Sequence, residues 1–151
     1  MARSLDRFHD AERRLWESFA VAVTERRVTL PRSGVEVRVQ ETGSGPPVLF
    51  VHGTMSAGSV WAPLARLLPD FRCLLLDRPG CGLSTASTAD LGDHAGLEAY
   101  ADAMVVDVLD ALAIERADVV ATSFGGYFAL RAAAAQSGLP EHPAHHGLLD
   151  R

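Results

Sequence analysis

Val48-Leu49-Phe50-Val51 constrains this chain most. Four apolar residues in a row, with no polar alternation, do not suit a strand that keeps one face in water. The run is also too short for a helix, because Pro46-Pro47 precedes it and His52-Gly53 follows. It is predicted to be a central parallel strand with helices covering both faces. Two further runs behave similarly. Cys73-Leu74-Leu75-Leu76 leads into Asp77-Arg78-Pro79-Gly80, and Asp118–Thr122 leads into Ser123-Phe124-Gly125-Gly126.

Helical patterns separate these runs. One is expected from about Val60 to Leu68, with Ser59 as N-cap and Pro63 in the first turn, where proline is tolerated. A longer one carries Leu97, Tyr100, Ala101, Met104, Val105, Val108, Leu109 and Leu112 at helical spacing. A third is expected over Tyr127–Ala135. Strand and helix thus alternate from Val48 to Ala135, which predicts an α/β fold with a mostly parallel, doubly wound sheet and right-handed crossovers.

The first part of the chain departs from that alternation. Leu5, Phe8, Leu15, Trp16, Phe19 and Val23 form an apolar stripe between charges, predicting an amphipathic helix over residues 4–23. Strands at Arg27–Leu30 and Val35–Gln40 then flank a Pro31-Arg32-Ser33-Gly34 turn, which reads as a hairpin. In its second strand Val35, Val37 and Val39 alternate with Glu36, Arg38 and Gln40, so one face is expected buried and the other wet.

Composition removes several function classes. A net charge of −5 offers no electrostatic footprint for nucleic acid or an anionic membrane, and all the basic side chains are arginines. No apolar run approaches membrane-spanning length, and the charged N-terminus lacks a signal-peptide core. Cys73 and Cys81 have no metal or redox spacing, so a reduced, cytoplasmic setting is expected, with no cofactor and no metal.

The chemistry centres on Ala121-Thr122-Ser123-Phe124-Gly125-Gly126. A serine at a sharp strand-to-helix turn, with small residues two positions away on either side, reads as a nucleophile elbow. Ala121 and Gly125 are those small residues, and Gly126 is expected to let helix and strand approach. Four motifs occur in order: His52-Gly53, Trp61-x-Pro63, Asp77-x-Pro79-Gly80-x-Gly82-x-Ser84 and Thr122-Ser123-Phe124-Gly125-Gly126. Together they resemble the N-terminal half of an α/β-hydrolase fold protein, of the esterase, epoxide-hydrolase-like and C–C-hydrolase branch.

That resemblance implies roles. Ser123 would be the nucleophile, acting on a small acyl-type substrate with an ester, thioester, amide or C–C bond to cleave. The backbone N–H groups of Phe124 and Thr54 would form the oxyanion hole, with Met55 as a weaker alternative to Thr54. His52, Gly53 and Met55 would line the substrate side, His52 chiefly by shaping the loop. Asp77 would hold the Pro-Gly-x-Gly loop, with Gly80 and Gly82 in unusual backbone conformations. A serine rather than an aspartate at the elbow disfavours epoxide and haloalkane hydrolysis.

The resemblance also implies an acid and a histidine beyond the elbow. Residues 136–151 contain no Val, Ile, Thr, Phe, Tyr or Trp and read as a non-homologous or disordered tail. Glu141, Asp150, His145 and His146 lie there without any element to position them. The expected organisation is an N-terminal helix over 1–24, a partial α/β-hydrolase domain over 25–135 and the tail over 136–151. On this reading the chain is truncated after the elbow helix and leaves the Asp118–Thr122 strand at a sheet edge, open to association. The alternative to a working enzyme is a truncated, frameshifted or inactive fragment, or a non-enzymatic interaction module.

Overall fold

A computed structural model describes residues 2–87 and 92–137. Five strands form one mixed sheet: β1 (Thr24–Thr29), β2 (Glu36–Thr42), β3 (Pro47–Val51), β4 (Arg72–Leu76) and β5 (Asp118–Ala121), in the order β1-β2-β4-β3-β5. β4, β3 and β5 run parallel, while the β1–β2 hairpin joins β4 antiparallel through β2. The expected sheet and hairpin are present, and among the described residues the last strand lies at the sheet edge.

β3 is the pivot of the winding. From β3 the chain passes through a short 3₁₀ turn (Gly58–Trp61) and helix α2 (Ala62–Ala65) to β4 on one side. From β4 it passes through α3 (His94–Ala111) back across β3 to β5 on the other side. Connections of one hand running in opposite directions place their helices on opposite faces. Two apolar clusters follow. Leu49, Val51, Leu74 and Leu76 pack against Met104, Val105 and Val108 of α3 and Phe128 of α4 (Phe124–Ser137). Val48, Phe50, Cys73 and Leu75 pack on the opposite face against Trp16 of α1 (Ala2–Phe19) and against Trp61, Ala62 and Ala65. Arg131 of α4 bonds Asp102 and Glu98 of α3, fastening that helical layer.

Local boundaries differ from the sequence reading where local chemistry intervenes. α1 ends at Phe19 because Ala20 turns left-handed, at φ 52°, and Val21 N–H then bonds back to the Trp16 carbonyl. Ser59 does not cap α2. It is buried inside the 3₁₀ turn, Ala57 occupies the capping position without a side-chain bond, and α2 is a single turn. α4 begins at Phe124, three residues ahead of the expected start. No helix among the described residues is long and apolar enough to cross a membrane. Of residues 136–151, Gln136 and Ser137 belong to α4, and the rest of the expected tail lies outside the described residues.

On the polar face of β2 Glu36 is exposed as expected, but Arg38 and Gln40 are not wet. α1 lies over these two and buries them. Arg38 is fully buried and forms a two-pronged pair with Glu12 of α1, at 2.7 and 2.8 Å, while its Nε donates to Asp77 at 2.8 Å. Burial alone would lower the guanidinium pKa, but the bonds and charges of Glu12 and Asp77 outweigh it and raise it. The alternation predicted the strand correctly. It could not predict the helix that covers its far face.

Such a pair makes opposite demands of its members. Removing one partner strands a buried charge, which typically costs about 3–5 kcal/mol. Glu12→Ala is therefore expected to lower unfolding free energy by about that amount in urea titration. Glu25, half-exposed and 3.4 Å from Arg38, is the control: Glu25→Ala is expected to cost under about 1 kcal/mol.

Candidate active site

The ends of β3, β4 and β5 meet where the winding reverses, the place where ligands bind in open α/β sheets. His52-Gly53-Thr54-Met55 leaves β3, Asp77-Arg78-Pro79-Gly80 leaves β4, and Thr122-Ser123-Phe124 leaves β5. The three segments that the sequence singled out thus converge on one edge.

Ser123 adopts φ 50°, in the left-handed region that non-glycine residues rarely enter. Such a conformation costs on the order of 1–3 kcal/mol and persists where surrounding structure imposes it. Here Thr122 N–H bonds the Val51 carbonyl, and Gly125 and Gly126 N–H close onto Thr122 and Ser123 carbonyls. The serine side chain is exposed and receives no hydrogen bond from the described residues.

Close approach at the elbow is made by Gly125 rather than Gly126. A Cβ on Gly125 would collide with the Val51 carbonyl and lie 2.6 Å from that of His52, whereas one on Gly126 would meet nothing within 4 Å. Gly53 also has to be small: a Cβ there would sit 3.0 Å from Ser123 Cβ and 3.5 Å from its Oγ. The serine and the loop after β3 are in contact through this glycine.

Asp77 organises the loops beneath. One carboxylate oxygen accepts Gly58 N–H at 2.6 Å, and the other accepts Leu83 N–H and Arg38 Nε–H, each at 2.8 Å. Gly82, at φ +54°, has the Asp77 carboxylate where a Cβ would stand. Asp77 thus holds the Pro-Gly-x-Gly loop as expected, and the turn after β3 as well.

His52 is fully buried and both its ring nitrogens are engaged. Arg78 backbone N–H donates to Nε2 at 3.1 Å, so the ring proton is on Nδ1, which donates to the Gly53 carbonyl at 2.7 Å. Burial lowers the His52 pKa, and the imidazole is held neutral. Its ring shapes the loop from beneath and presents no surface to a substrate; Met55 beside it is 96 % exposed.

Sequence reasoning missed Arg78. It is only 7 % exposed, donates from Nε to the His52 carbonyl at 2.8 Å and from Nη2 to the Gly53 carbonyl at 2.7 Å. Its guanidinium carbon lies 5.5 and 5.2 Å from the Phe124 and Phe128 ring centroids. The signal was present as an arginine two residues after the apolar run Cys73–Leu76. Thr54 and Phe124 N–H groups have no acceptor among the described residues. No imidazole or carboxylate among those residues bonds Ser123 Oγ, and none forms a cluster able to hold a metal.

Two outcomes follow from this packing. Gly125→Ala is expected to cost about 1–3 kcal/mol by overpacking, while Gly126→Ala gains up to about 1 kcal/mol of helix stability, both read from thermal or urea midpoints. His52 stays neutral when folded but protonates below 6.5 when unfolded, so the unfolded chain binds the extra proton. Its contribution is full above that value and falls away at lower pH, by up to about 1.4 kcal/mol per unit. Urea midpoints measured from pH 7.5 to 5.5, as about the range flanking that value, should therefore fall more steeply for the natural chain than for His52→Gln.

Comparison with known proteins agrees with this geometry. A profile described as the alpha/beta hydrolase fold matches residues 46–142. The chain is 33% identical over 101 residues to a 2-hydroxy-6-oxo-2,4-heptadienoate hydrolase of Pseudomonas putida, covering 64% of this chain and 35% of that one. It is 36% identical over 117 residues to a 2-hydroxy-6-oxononadienedioate/2-hydroxy-6-oxononatrienedioate hydrolase of Paraburkholderia phymatum, covering 72% and 39% respectively. A carboxylesterase structure from Bacillus subtilis superposes with TM-score 0.69 at 22% identity, covering 85% of this chain and 44% of the esterase. The chain therefore spans well under half the length of the relatives it matches. It belongs to the α/β-hydrolase fold family.

Proposed function

We propose that this chain carries the nucleophile and oxyanion hole of a serine hydrolase acting on an ester, thioester, amide or C–C bond of a small acyl-type substrate. The observation that carries this reading is Ser123 itself, left-handed at φ 50°, exposed, and in contact with Gly53. Two N–H groups, of Phe124 and Thr54, have no acceptor among the described residues. In the proposed reaction Ser123 Oγ forms a bond to the substrate carbonyl carbon while its proton leaves to a base. The carbonyl oxygen becomes an oxyanion, and the two N–H groups receive it. Losing one such donor typically slows catalysis about 10²–10³-fold. Among the described residues, no base and no orienting acid is a hydrogen-bond partner of Ser123. The relatives' names, hydrolases of hydroxy-oxo-dienoates and a carboxylesterase, support this substrate class. Both cysteines are free, in keeping with the proposed cytoplasmic setting.

A second reading rests on the sheet edge. β5 pairs with β3 on one side, and among the described residues its other side is unpaired. An apolar groove of about 460 Å³ runs beside it, lined by Val105, Leu109, Val119, Leu130 and Ala133. An apolar edge of this kind favours association, and a chain used that way is an interaction module rather than an enzyme.

A fluorophosphonate probe separates the two readings. The expected result is covalent labelling of the natural chain that Ser123→Ala abolishes. Absence of serine-dependent labelling overturns the nucleophile reading for this chain and leaves the edge as its functional surface.

A further inference from the structure

Arg78 is a buried cation with no anion paired to it among the described residues. Among the described residues no carboxylate lies within ion-pair distance of it, although the equally buried Arg38 has two close carboxylate partners. Leaving a buried charge uncompensated costs several kcal/mol, so the surroundings must hold the guanidinium in place. They do so from three directions. Phe124 and Phe128 lie within cation–π distance of it, its own backbone N–H is tied to His52, and its side chain is bonded to two successive carbonyls of the loop after β3. Burial lowers its pKa, as expected of a cation out of water.

The two carbonyls give the charge a direction. Every peptide bond described is trans, so the carbonyl and N–H of one peptide unit point in opposite directions. The Gly53 carbonyl accepts from both His52 Nδ1 and Arg78 Nη2, each at 2.7 Å. That pair of bonds sets the plane of the Gly53–Thr54 peptide and sends Thr54 N–H away from Arg78. A charge-assisted bond at a carbonyl also polarises the whole amide, making the N–H at its other end a stronger donor.

Resting on the nucleophile reading of Ser123, we propose that Arg78 is a positioning residue for the oxyanion hole: it orients and polarises the Gly53–Thr54 peptide, and the oxyanion formed on the substrate is the counter-charge that its buried guanidinium lacks. The positive charge is in place before the reaction, so no group has to reorganise as negative charge develops. The carboxylate-free surroundings are then a requirement. A permanent anion at Arg78 would neutralise the charge before any substrate arrived.

Phenylboronic acid and NMR test this together. Ser123 Oγ forms the B–O bond, its proton leaves to solvent, and boron becomes a tetrahedral anion that places negative charge in the hole. In the natural chain, titration is expected to move the Arg78 Nε–H resonance along with the Thr54 and Phe124 amides. In Arg78→Gln the Thr54 nitrogen resonance is expected to move before any boronate is added, and boronate affinity to fall about tenfold, less than the roughly 10²–10³ that loss of a whole donor costs. Arg78→Lys, which keeps the charge but not the fork, should restore part of both. A Thr54 resonance that stays in place in either folded variant overturns the proposal, as does an Arg78 Nε–H that ignores the adduct. Equal boronate uptake by Ser123→Ala and the natural chain instead sinks the nucleophile reading, while the Thr54 resonance still decides the peptide-orienting role of Arg78.

Discussion

The Asp77 carboxylate is the constraint on which most of this structure depends. It sits at the end of β4 and satisfies N–H groups from the turn after β3 and from the Pro-Gly-x-Gly loop, while pairing with Arg38 of β2. Through Arg38 it is coupled to Glu12 of α1. A single anion thus ties together the N-terminal helix, the hairpin and two of the three loops at the candidate site. Its backbone bonds serve the loops, and its ion pair serves the layer beneath. Neither set alone would fix the loops relative to the sheet. A carboxylate accepts up to about four hydrogen bonds, and here three of these sites are filled from three segments.

Two buried arginines then divide the work. Arg38 is compensated, with carboxylates on both ends of its fork, and its role is to hold α1 to the sheet. Arg78 has no carboxylate partner among the described residues and is directed at the carbonyls of His52 and Gly53. The same residue type, one strand apart in the sheet, is a structural clamp in one place and a source of positive potential in the other. What separates them is whether a carboxylate is close by, not how deeply each is buried.

The layout of the sheet was legible because Val48–Val51 and Cys73–Leu76 are apolar on both faces, and only a strand with two covered faces uses such runs. The elbow was legible because Ser123 stands between a short strand and a helix with small neighbours. Contacts from distant segments were not legible. Arg38 and Gln40 read as solvent-facing because nothing in β2 announces that α1 will lie on top of them. Ser59 read as a cap because capping chemistry is local, but burial against the sheet drew it into a 3₁₀ turn. A small residue was expected at Gly125, but the close approach of helix and strand was assigned one residue late, to Gly126. The contact that excludes a side chain comes from carbonyls at the end of β3, remote in sequence, and it falls on Gly125.

The chain has two tryptophans, and both belong to the cluster on the α1 side of the sheet: Trp16 on the helix itself, and Trp61 tilted against Phe50 with ring centroids 5.5 Å apart. Their indole N–H groups are buried without partners among the described residues. The emission of this protein is therefore one-sided. It reports whether the N-terminal helix is seated and whether its indoles are dry. It is blind to the opposite layer, where Phe124, Tyr127 and Phe128 pack on one another in the helix that follows the serine. An optical signal from the candidate site would have to come from the tyrosines or from a label.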